Sequence, residues 1–311
     1  MTASAIPAAG AATRPRRPKT GVDRWNGVVE VWLRAHTALV YAFLYLPILV
    51  VVIFSFNANS LATIWTGFTF DWYGTVLGDD VVMGALQNSF SVALPNAILA
   101  TTFGTMAALG LQRVPKKLRL GFDALTYVSI IVPEIVIALS TLVLFASSFS
   151  FINDLTGWRL QLGIPTIIAA HMLFNISIVL LLVRARLTGM DRTLVDASGD
   201  LYATPWATFR QITFPQLLPA IVAGFLLSFT FSFDDYVITS FVSGPGSSTL
   251  PIFIFGQVKR GVSPETNAVA TMMLVLTLAM LALGQFALSR NAKRSSGTAG
   301  GGMAGMIAEQ R

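Results

Sequence analysis

Residues 194–220 read LVDASGDLYATPWATFRQITFPQLLPA, a mixed stretch set between two long apolar runs. Two acids, Asp196 and Asp200, come first among small residues. Pro205 and Trp206 follow, then Arg210, and the chain leaves through Phe214-Pro215 and Leu218-Pro219. The small residues beside Asp196 let another surface approach closely. The prolines set where local helices begin and end, because each fixes φ and lacks an N–H donor. A plain connector between two membrane helices needs none of this detail.

Outward from this stretch, hydrophobic residues make up 54% of the 311 and charged residues 12%. A helix needs about 20 apolar residues to cross roughly 30 Å of hydrocarbon. Six runs are long enough: 35–56, 88–111, 124–147, 163–184, 217–242 and 265–288. The expected fold is therefore all-α, a polytopic membrane protein of six transmembrane helices. Residues 1–30, rich in Ala, Pro, Thr and Arg in their first two dozen positions, are expected as a disordered N-terminal segment. Residues 31–290 form the membrane domain, with the mixed segment at 194–219, and 291–311 are expected as a flexible tail.

Basic residues are spread unevenly, and that sets the expected orientation. Arg14, Arg16, Arg17, Lys19, Arg24 and Arg34 precede the first span. Arg113, Lys116, Lys117 and Arg119 join the second and third. Arg184, Arg186, Arg192 and Arg210 join the fourth and fifth, and Arg290, Lys293, Arg294 and Arg311 follow the sixth. The opposite side holds only Arg159, Lys259 and Arg260. Both termini and the Asp196 segment are thus expected in the cytoplasm. The basic excess is a topology signal and does not point to nucleic acid. With no cysteine, and only His36 and His171 as histidines, neither thiolate chemistry nor a histidine metal cluster is expected.

Polar residues inside the spans are the remaining clue. Pro133-Glu134 falls about ten residues into the third run, where proline marks a kink and a carboxylate faces protein or a water-filled cavity. His171 and Asn175, four residues apart, share a helix face and read as interhelical hydrogen-bonding groups. Asp234 and Asp235 lie towards the outer end of the fifth run, giving with Glu134 a descending series of negative sites. The turn at 244–249, GPGSST, lacks the Gly-Lys-Ser/Thr ending of a phosphate loop.

Two sets of residues resemble one family, the permease subunits of ABC importers. Asp196-Ala197-Ser198 and Ile212-Thr213-Phe214-Pro215 are similar to the family's coupling motif, Glu-Ala-Ala followed later by Ile-x-Leu-Pro, with Tyr202 where the motif has Gly. Asp234-Asp235, Ser243-Gly244-Pro245, Leu250-Pro251 and the run Gly261 to Ala268 resemble the second permease subunit of spermidine/putrescine-type importers. The resemblance implies a type I importer permease (MetI-like) fold in a bacterial inner membrane. It implies ATPase coupling through Asp196, Ala197, Ser198, Asp200, Tyr202, Ala203, Pro205, Ile212 and Pro215. Glu134, Asp234 and Asp235 would line the path of a cationic solute, a polyamine such as spermidine or putrescine, with an opine or other small polar solute as the alternative. The implied partners are a second homologous permease, two copies of a cytoplasmic ABC ATPase, and a periplasmic or extracellular substrate-binding protein that docks near Gly244 and Pro264.

With no Walker motif the chain is not expected to be an enzyme, and no catalytic residue, metal or cofactor is expected. Two other classes fit the sequence less well. An intramembrane aspartyl protease needs aspartates from different helices, whereas Asp234 and Asp235 are adjacent, about 100° apart on one helix. A secondary transporter suits the intramembrane acids but leaves the Asp196 segment unexplained.

Overall fold

The computed structural model describes residues 21–60 and 64–308, with side chains for 29–60 and 64–286. Most of residues 1–30, read above as disordered, lie outside the described side chains. Two compact units divide after Val51. The first is the greater part of helix α1 (Gly21–Phe54), an apolar helix long enough to cross a membrane. The second holds every other helix. Among the described residues there are six candidate spans and no β-strand, only an isolated bridge between Asn57 and Phe68.

The second unit is organised on three long helices, α3 (Asp80–Gly110), α6 (Ile164–Thr188) and α9 (Phe214–Phe233). Lipid gives helices no hydrophobic reason to associate, so close packing must come from small residues that let backbones approach. Gly104 shows this directly: a Cβ there would sit 2.7 Å from Val179 Cβ. Ala108, Val179, Val183 and Leu217 fill one end of this core, and Ala93, Ala97, Phe229 and Phe233 the other. Two short helices, α2 (Asp71–Gly78) and α11 (Leu250–Arg260), pack with α3 and α12 (Pro264–Ala308) through Val76, Val82, Leu250 and Val269. The α12 backbone runs helical through most of the tail read above as flexible.

Two of the six apolar runs are broken. The third run, expected at 124–147, is divided into α4 (Lys116–Ile131) and α5 (Glu134–Thr156). Pro133 removes an N–H and disfavours the helical region for its predecessor, and Val132 accordingly adopts ψ 129°. The spanning helix is α5, so Glu134 stands at its first turn rather than mid-span, a correction to the expected position. The fifth run ends its helix at Phe233 and resumes as α10 (Val237–Val242). Asp235 makes this break favourable by accepting the Thr239 N–H, in the first turn of α10, at 2.8 Å.

Glycine matters again at the turn after α10. A Cβ on Gly244 would lie 1.8 Å from the Leu162 carbonyl oxygen, so only glycine fits against the chain entering α6. Asn88 of α3 holds the other side of this turn by donating to the Gly246 and Ser248 carbonyls, both at 2.9 Å.

Candidate functional site

The mixed segment folds as two short helices joined by a tight turn. Asp191 starts it, accepting the Thr193 N–H at 2.9 Å and the Thr193 hydroxyl at 2.7 Å. Those bonds, the hydroxyl's first, hold the Asp191 carboxyl below the usual carboxylate range. Helix α7 (Thr193–Asp200) carries Asp196 in its first turn, where a negative charge suits the positive end of the helix dipole. Ser198 is the inward residue. Its hydroxyl bonds the Val195 carbonyl at 2.7 Å and lies 2.9 Å from the Thr208 hydroxyl, tying the two short helices together.

α7 is stopped by Tyr202, two residues past its end, whose φ is 57°, in the left-handed region. The Ala203 N–H reaches the Ser198 carbonyl at 3.0 Å and the Tyr202 N–H the Gly199 carbonyl at 2.9 Å. This is the double bond pattern of a Schellman stop, whose left-handed position is usually glycine. Holding a non-glycine residue there costs about 1–2 kcal/mol. The ring gains nothing from the chain in return, being 97% exposed. Thr204 then caps α8 (Pro205–Thr208) by accepting the Ala207 N–H at 3.3 Å. A π-helical turn, Phe209–Thr213, leads into α9. Pro215 cannot donate to the carbonyl four residues back, and the ladder slips so that the Phe214 N–H bonds the Phe209 carbonyl.

Of the nine residues read as coupling positions, Asp196, Ala197, Asp200, Tyr202, Ala203, Pro205 and Pro215 are exposed, Ile212 is half-buried and Ser198 is buried. Asp196, Ala203 and Trp206 border a cleft of ≈ 870 Å³ whose other wall includes Arg113, Met190 and Arg192. Beside it, Arg184 pairs with Asp123 and holds that carboxyl below its ordinary range, the hydrogen bond being the larger cause.

The second group of candidates lies at the two helix breaks. His171 of α6 is 2% exposed and is bonded at both ring nitrogens. Nδ1 lies 2.7 Å from the Ser232 hydroxyl; Nε2 lies 3.0 Å from Asp235 Oδ1 and 3.1 Å from Thr239 Oγ1. Asp235 Oδ1 also accepts from the Thr239 N–H and hydroxyl, each at 2.8 Å. An ionised carboxylate only accepts, so the network assigns a hydrogen to His171 Nε2.

Glu134, exposed at the start of α5, is close enough to interact electrostatically with both Asp235 and His171. Asp234 turns away instead, meeting the Thr277 hydroxyl of α12 at 3.5 Å. Glu134 and Asp235 are thus electrostatic neighbours in place of a spaced descending series, because the helices that follow the two breaks pack together. His171 does make interhelical hydrogen bonds, but Asn175, its neighbour on that face, is buried with no partner for its Oδ1. Ser232 and Thr239 escaped the sequence reading. Their spacing of three before and four after Asp235 was the available signal.

A six-span, all-helical chain with an elaborated segment between its fourth and fifth spans invites comparison with known transporters. Residues 100–294 match the sequence family described as binding-protein-dependent transport system inner membrane component. The chain belongs to that family. It is accordingly a multi-pass inner membrane protein, a transport component rather than an enzyme, with the MetI-like permease fold. It is 41% identical over 244 residues to the putrescine transport system permease protein PotI of Escherichia coli (strain K12), covering 78% of this chain and 85% of that one. To the spermidine/putrescine transport system permease protein PotC of the same strain it is 37% identical over 258 residues, covering 83% and 94%.

Among solved structures, the chain resembles a bacterial ABC transporter involved in the import of the acidic polysaccharide alginate. The TM-score is 0.69 at 14% identity, covering 86% of this chain and 98% of that one. An inward-facing MetNI methionine ABC transporter matches with a TM-score of 0.52 at 16% identity, covering 68% and 99%. Identities this low speak for the shared fold of family members and leave solute chemistry to the side chains.

Proposed function

We propose that this chain is one of two permease subunits of an ATP-driven importer and forms half of the path for a small cationic solute, a polyamine such as putrescine or spermidine. The observation that carries the reading is that Glu134 and Asp235 stand at two helix breaks whose following helices, α5 and α10, pack together through Ala138, Ile238 and Val242. Neighbouring carboxylates repel, so a site that holds Glu134 near Asp235 favours a positive charge between them. A passing ammonium supplies it. The names of the relatives, putrescine and spermidine/putrescine permeases, support the same solute class.

The partners proposed are a second homologous permease, two ABC ATPase subunits at the Asp196–Pro215 segment, and a substrate-binding protein at the turns near Gly244 and Pro264. The orientation proposed puts both termini and the coupling segment in the cytoplasm. Tyr202, held in a strained conformation with its ring outward, acts here as an aromatic plug in the ATPase cleft. Alternating access is then a two-state change, biased by nucleotide on one side and by loaded binding protein on the other.

The test is putrescine uptake into proteoliposomes holding the assembled transporter. Uptake is expected to need both ATP inside and loaded binding protein outside; uptake that persists without ATP would favour a secondary transporter. For orientation, a reporter active only outside the cytoplasm should be active when fused after Gly157 and silent after Arg192. The reverse pattern would remove the Asp196 segment from the ATPase side.

A further inference from the structure

We infer that His171 is a positioning residue for the cation path: it ties the Asp235 carboxylate to the continuous helix α6 and so fixes it opposite Glu134. The inference rests on the proposed cation path and adds the residue that sets its geometry.

Each of the two acids stands at a break. Glu134 follows the extended pair Val132-Pro133, and Asp235 is the middle residue of the three, Asp234 to Tyr236, between α9 and α10. Backbone at such breaks lacks part of its helical ladder, so something outside it must hold the side chains in place. α6 is unbroken from Ile164 to Thr188 and is packed through Ile167 and Ala170 against Ala138, Ile238 and Val242. His171 follows directly on that packed face. Its ring spans from Ser232 on α9 to Asp235 and Thr239 across the break, at 2.7, 3.0 and 3.1 Å.

Removing the imidazole would leave Asp235 its two bonds from Thr239, both local to α10. The tie across the break to α6 would be gone. Asp235 could then swing with α10, and the distance between the two carboxylates would no longer be set. Neighbouring carboxylates repel, and a cation between them relieves the repulsion best when their spacing is held.

Two amide substitutions separate the roles of the ring nitrogens. In His171→Gln the side-chain amide reaches the place of Nε2 and can still donate to Asp235. In His171→Asn it reaches only the place of Nδ1, toward Ser232. Both are polar and neither is larger than histidine. The measurement is putrescine transported per ATP hydrolysed in proteoliposomes containing the full transporter, a ratio that does not depend on how much complex assembles. His171→Asn is expected to lower it about tenfold, the size of effect expected for one hydrogen bond to a charged group. His171→Gln is expected to stay within about twofold of wild type.

Equal ratios for the two variants would overturn the inference, since a purely structural histidine has no reason to distinguish them. Asp235→Asn keeps the two readings apart. If it lowers the ratio while His171→Asn does not, the cation path stands and the positioning role falls. A wild-type ratio in Asp235→Asn removes the path itself.

Discussion

The segment proposed for coupling and the buried junction at His171 are both interruptions of helix, and they solve the problem in opposite ways. Around α7 and α8, backbone groups are satisfied locally by caps, a Schellman stop and a π-turn, which leaves Asp196, Tyr202 and Trp206 free to face outward. At the α9–α10 break the side chains themselves satisfy one another, with His171, Ser232, Asp235 and Thr239 all buried. The first arrangement suits a surface that must grip a partner. The second suits a wall that must keep one geometry while its surroundings move. In such a chain, where side chains are spent shows which interruptions act on partners and which act within the bundle.

Reversing the charge on the outward surface is the largest expected change. Asp196→Lys should leave the protein in the membrane and lower ATP hydrolysis stimulated by loaded binding protein by about tenfold or more, because it replaces attraction with repulsion at a docking face. Unchanged stimulation would erase the contrast between the two regions. The core between them should respond through stability instead. Gly104→Val forces atoms against Val179 and the Ile176 carbonyl, and overpacking of this kind costs about 1–3 kcal/mol. A lowered thermal midpoint in detergent is expected, with coupling in the surviving complex intact.

Tyr202→Gly sharpens the comparison because its two effects run in opposite directions. Relief of the left-handed strain should raise stability by about 1 kcal/mol, while loss of the ring should reduce stimulated ATP hydrolysis severalfold. If hydrolysis is unaffected, Tyr202 is a tolerated residue at a glycine position and not an anchor. The smallest effect concerns Asp191. Its carboxyl is held below the ordinary range in the fold, so its contribution is present above the unfolded value and is lost as pH falls through the lowered folded one. Protection of the Thr193 amide from hydrogen exchange should therefore persist from neutral into mildly acid solution and fade only below the usual carboxylate range. Fading nearer neutrality would mean that Asp191 does not hold the start of α7.

Much of this was legible in the sequence, and the failures have physical causes. Six spans follow from apolar length, and the prolines at 205 and 215 announce the starts of α8 and α9. Hydropathy averaged over an apolar run does not tell a kink from a break, so the kink read at Pro133 gave no sign that it divides the run into two helices. The third span was consequently placed about ten residues early, and Glu134 was read as mid-span. Tyr202 could be flagged only through the motif it departs from; that the backbone keeps the glycine-type conformation follows from the two hydrogen bonds of the stop. The junction at His171 is a contact between α6 and α9–α10. Spacing puts Ser232, Asp235 and Thr239 on one face, but no local pattern says which helix that face meets.

The cation path is tested most directly by Glu134→Gln, which keeps shape and hydrogen bonding at the start of α5 and removes only the charge. Putrescine uptake by the assembled transporter should fall by about tenfold or more, while complex assembly and basal ATP hydrolysis remain at wild-type levels. Wild-type putrescine uptake by Glu134→Gln would contradict the path.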